Sequence, residues 1–65
     1  MNQKENEAFT RGIVIAASIA RDHNRDWGLV RRILKEGRVS EEDAFEAGCT
    51  DYDMLVFTDD PERTT

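Results

Sequence analysis

Apolar residues recur at three- and four-residue intervals through the first third of the chain and again from Trp27, which predicts helices. Helix 1 is expected from about Glu5 to His23, with Phe9, Ile13, Ala16, Ala17 and Ala20 on one apolar face. Val14, Ile15 and Ile19 fall off that stripe. A helix apolar around so much of its girth either sits centrally in the fold or turns part of its surface to another subunit. Central packing is the first expectation, because a small helical fold needs a central element. Gly12 and the three alanines would allow another helix to come close.

The polar run "RDHNRD" breaks the pattern, and Asn24 or Asp26 can cap the next helix. Helix 2 is expected from Trp27 to Glu36, with Trp27, Val30, Ile33 and Leu34 buried. Gly28 costs that helix about 1 kcal/mol relative to alanine. Gly37 is expected as its stop.

Two short helices should follow. "SEED" offers Ser40 as a cap with Asp43 three positions on, and "TDYD" repeats the device with Thr50 and Asp53. Gly48 should end the first of them. Phe45, Met54, Leu55 and Phe57 are expected to reach the core. A strand over 53–57 is the competing reading of "DMLVF". The expected fold is all-α: two longer helices, then two short ones. A flexible start (1–4), one domain (5–58) and a polar tail (59–65) complete the organisation.

Length restricts function. Sixty-five residues form one domain with a thin core and leave no room for a deep cleft between subdomains. Binding, inhibition or assembly is therefore expected before catalysis. The lone Cys49 cannot form an internal disulfide, and "MNQKENE" lacks the basic start of a signal peptide, so a reduced thiol in a cytoplasmic protein is expected. The longest nearly apolar run is the nine residues Gly12 to Ala20, against about 20 needed to span a bilayer.

Charge alters the picture more than length does. Residues 1–38 carry net +3 and residues 39–65 carry net −8, within a total of −5. From Ser40 to Glu62 the chain has nine acids and no Lys, Arg or His. Such asymmetry suggests charged partners, unless the halves fold together and neutralise each other.

Candidate chemistry is sparse. His23 and Cys49 are the only soft metal ligands, where a zinc site needs several. Asp51 and Asp53 begin like an EF-hand, but the glycine and glutamate that should follow are missing. The acids around Cys49 should raise its pKa and make it inert. No two carboxylates look different enough for general acid and base roles. No catalytic residue, metal site or cofactor is assigned.

Within "EDAFEAGCTDYDMLVF", Ala44, Gly48, Cys49, Thr50, Met54 and Phe57 follow the spacing of a helix-turn-helix. The segment resembles that motif of DNA-binding regulators over about twenty residues. The resemblance implies a second helix, Asp51 to Thr58, in the major groove. That helix has no Lys or Arg for phosphates, so its charge is wrong for DNA. Arg31, Arg32, Lys35 and Arg38 could form a basic strip bearing on phosphates; the alternative is that Arg31 and Lys35 are solvated or pair with the acidic half.

The reverse arrangement suits the acids better. Glu41, Glu42, Asp43, Glu46, Asp51, Asp53, Asp59 and Asp60 would offer negative charge to the basic surface of a nucleic-acid-binding protein. In size, acidity and lack of catalytic motifs the chain resembles the small proteins phages use against host defences, including anti-CRISPR proteins. The resemblance is one of type, and no motif carries it. It implies a non-enzymatic inhibitor acting in the cytoplasm of a host. A DNA-binding regulator and an assembly module using helix 1 are the alternatives. A monomer is expected first, with a homodimer through helix 1 second.

Overall fold

The computed structural model describes residues 3–63, apart from the side chain of Asn24. Among these residues there are four helices and no strand: α1 (Gln3–Asn24), α2 (Trp27–Glu36), α3 (Glu41–Glu46) and α4 (Leu55–Thr58). The all-α order of two longer helices and two short ones is as expected. The strand alternative for 53–57 is not: Asp53 and Met54 belong to a turn that leads into α4. The second short helix is also shorter than the expected 51–58, because its first four residues form that turn.

α1 is the central element, and α2, α3 and α4 all pack on it. Its 22 residues make a rod of about 33 Å at 1.5 Å per residue, which matches the longest dimension of the molecule, 33 Å. The helix begins at Gln3, so the part of the expected flexible start that is described belongs to α1. Met1, Asn2, Thr64 and Thr65 lie outside the described residues.

The buried face of α1 is a correction. Val14 and Ala17 are fully buried and Thr10, Ser18 and Ala20 nearly so, while Phe9 is 52 % exposed and Ala16 is exposed. The stripe is rotated by about one residue from Phe9–Ile13–Ala16. Two small polar residues, Thr10 and Ser18, complete it. α2 buries Val30 and Leu34, with Trp27 and Ile33 packed at the edge, as its pattern predicts.

Val39, Ala44 and Val56 close the core from the other side. Its largest fully buried side chains are only valines, Val14, Val30 and Val56. Each contributes about 1.5 kcal/mol or more from burial. Met54 and Phe57 pack at the margin as expected, and Leu55 is half-buried. Phe45 does not reach the core at all: it is 75 % exposed.

The caps explain where the helices stop. Asp26 caps α2 by accepting from the Leu29 N–H at 3.0 Å. α3 ends as its sequence predicts, with Gly48 at φ +82°. There the Cys49 N–H donates to the Ala44 carbonyl at 3.2 Å and the Gly48 N–H to Phe45 at 3.1 Å. α2 ends in the same pattern, yet the left-handed residue is Arg38 (φ +57°) and not Gly37. Gly37 is helical, and its role is space: a Cβ there would lie 2.7 Å from Ile13 Cγ2. The α1–α2 contact, not the turn, requires this glycine.

Candidate functional site: the acidic segment and what remains of it

α3 is started by the residue that precedes it. Ser40 Oγ accepts from the Asp43 N–H at 3.1 Å, and Asp43 Oδ2 accepts from the Ser40 N–H at 3.2 Å, a complete capping box. In the repeat of the device, Thr50 Oγ1 accepts from the Asp53 N–H at 3.2 Å. That cap holds the 51–54 turn. Ala44 and Ala47 are the residues α3 buries, which leaves Glu42, Phe45 and Glu46 together on its outer side.

The nine acids between Ser40 and Glu62 divide into three groups. Four are ion-paired: Asp59 with Arg21 at 2.7 Å, Asp60 with Arg31 at 2.9 Å, Glu62 with Arg31 at 3.4 Å and Glu41 with Arg63 at 2.9 Å. Asp43 is used in the capping box. Glu42, Glu46, Asp51 and Asp53 have no ion pair among the described residues. The expected neutralisation of one half by the other is real for the last acids and stops there.

Asp59 and Asp60 of the expected partner surface are thus ion-paired within the chain, Asp59 remaining exposed and Asp60 half-buried. Both close a clasp that holds the chain after α4 against α1 and α2. The expected polar tail, as far as Arg63, is part of the fold. Within the clasp the Arg21 guanidinium lies 5.8 Å from the Trp27 ring centroid and also meets Asp22 at 3.1 Å. The hydrogen bond with Asp59 pushes the Arg21 pKa up, and the one with Asp60 does so for Arg31. The Arg31 hydrogen bond, then the Glu62 backbone N–H, holds the Asp60 carboxyl below the ordinary aspartate range. Asp22 also accepts from the Tyr52 hydroxyl, and this bond raises the phenol pKa.

Glu41 faces Arg63 and Asp43 is committed to its cap, so the uncommitted acids are Glu42, Glu46, Asp51 and Asp53. The first three are exposed and Asp53 is half-buried. Two exposed aromatics neighbour them in the sequence: Phe45, 75 % exposed between Glu42 and Glu46 on α3, and Tyr52, 55 % exposed and bonded to Asp22. Sequence reasoning placed Phe45 inside. The spacing of Ala44 and Ala47, small residues three apart, was the signal that α3 turns its alanines inward.

Other expected chemistry takes the following form. Cys49 is half-buried, and burial, then Asp53, pushes its thiol pKa up against a smaller opposing effect of Arg11. No group of three or more potential metal ligands occurs among the described residues. No described helix is long and apolar enough to cross a membrane. The basic strip of α2 is partly used: Arg31 is in the clasp and Arg32 pairs with Glu36 at 3.3 Å, which leaves Lys35 and Arg38. As a helix-turn-helix, the segment would have to insert α4. α4 is four residues long, about 6 Å, with no basic side chain.

No family model, curated protein or solved structure matches this chain.

Proposed function

We propose that this chain is a small non-enzymatic inhibitor that covers a basic, nucleic-acid-binding surface of a target protein. The observation that carries the reading is the pair Glu42 and Glu46, without an ion pair among the described residues, flanking the exposed Phe45 on the outer side of α3. The fold uses the neighbouring acids in caps and ion pairs and leaves these out. An aromatic ring inside a charged rim is the usual anatomy of a binding patch. The ring supplies desolvated contact, and the charges steer and orient the partner. The likeness in type to phage anti-defence proteins directs the search to nucleic-acid-handling complexes in the cytoplasm.

The test is a capture experiment with a charge-reversed control. A target held by the wild-type chain is expected to leave at rising salt and in the presence of competing duplex DNA. It is expected to be lost with Glu42→Lys/Glu46→Lys. Capture that survives salt, DNA and the double substitution would overturn the proposal.

A further inference from the structure

Among the described residues, no other element covers the side of α1 opposite Val14 and Ala17. That side carries Ala8, Gly12, Ile15 and Ile19, spaced four, three and four residues apart. That is the spacing of a helix–helix seam. Ile15 is 48 % and Ile19 55 % exposed, and Ala8 is exposed. A Cβ added at Gly12 would meet nothing within 4 Å. The seam has its small residues toward the start of the helix and its large ones toward the end.

We infer that this face is the contact between two copies of the chain, packed antiparallel about a two-fold axis that passes between the two α1 helices, level with the Ile13–Val14 peptide. Two features select that arrangement. The antiparallel register sets Ala8 against Ile19 and Gly12 against Ile15, so each large residue meets a small one. A parallel pair would set Ile on Ile at one end and Gly on Gly at the other, which splays the helices. The second feature is charge. Lys4 and Asp22 lie about five turns apart on one flank of the seam. Antiparallel packing brings Lys4 of one copy beside Asp22 of its partner, which also meets Arg21 and Tyr52 within its own chain. The helix dipoles also oppose favourably.

A seam of one helix per copy falls short of the roughly 800 Å² per partner of a standard interface. The expected association is therefore a rapid equilibrium with a dissociation constant of roughly 10–500 μM. It uses a different face from the acidic patch on α3, so either proposal can fail without the other. Together they describe a dimer with two acidic patches.

Sedimentation equilibrium from about 10 μM to 1 mM tests the inference. The wild-type chain is expected to shift from monomer to dimer over that range. Ile15→Glu/Ile19→Glu is expected to remain monomeric with its helical circular dichroism intact. Gly12→Leu separates interface from fold: it should stabilise the monomer, since the space is open and glycine disfavours helix, yet weaken dimerisation at least tenfold. Register is read in a Cys49→Ser background under mild oxidation. Chains with Ala8→Cys mixed with chains with Ile19→Cys should cross-link, and neither alone should do so at that yield. A strict monomer at 1 mM, dimerisation unchanged by Gly12→Leu, or self-cross-linking of the single variants would overturn the inference.

Discussion

Asp59 and Asp60 belong to the same acidic run as Glu42 and Glu46, and local sequence does not separate the two pairs. The fold does. Asp59 and Asp60 meet Arg21 and Arg31, which precede them by 38 and 29 residues. Glu42 and Glu46 meet no base among the described residues, because Ala44 and Ala47 hold the opposite side of α3 against the core. The first pair joins the two halves of the chain and the second is left to solvent. An acidic run can thus hold a structural part and an available part, divided by where distant bases happen to lie.

Reversing the charge of each pair in separate variants should separate their roles. Asp59→Lys/Asp60→Lys sets ammonium groups against Arg21 and Arg31. It is expected to lower the Tm by roughly 5–10 °C, with a smaller loss as salt rises. Glu42→Lys/Glu46→Lys should cost no more than about 1 kcal/mol, the size of a lost helix-dipole contact. Thermal unfolding followed by circular dichroism decides between them. Equal losses in the two variants would abolish the distinction.

A smaller effect follows from pH. The folded state holds the Asp60 carboxyl below its ordinary value of 3.8. Its stabilising contribution is thus complete above that value and is lost as pH falls through the lowered one. A Tm series in acid, with Asp60→Asn alongside, should show a shallower acid limb in the variant. The smallest expected effect concerns the turns that frame α3. Gly48 suits its left-handed backbone and Arg38 does not. Arg38→Gly should therefore raise stability by up to about 1 kcal/mol in denaturant titration.

Much of the fold was legible because its signals are local. The α2 boundaries, the Ser40 cap and the Gly48 stop each rest on residues within a few positions of one another, whereas Thr50, expected to cap a helix, holds a turn instead. The buried face of α1 lies one position from the apolar stripe because Thr10 and Ser18 complete it, while Phe9 and Ala16 suggest a false one. The hydrophobicity of Phe45 predicts burial, but the small alanines beside it take the inner side of α3. At the candidate site, the acids themselves were legible and their division was not. The bases that pair with Asp59 and Asp60 come from other helices, and pairing across 29 or 38 residues leaves no trace in a local pattern.

Gly37 has a consequence for how this sequence is free to vary. A glycine at φ −75° in a helix end is ordinarily replaceable by alanine. Here the obstacle is the γ-methyl of Ile13, on a β-branched side chain with little rotameric freedom. The two positions are thereby coupled. Gly37→Ala should be poorly tolerated alone and accepted once Ile13 is trimmed to alanine. In any collection of functional variants, residues 13 and 37 should change as a pair, although 24 positions separate them.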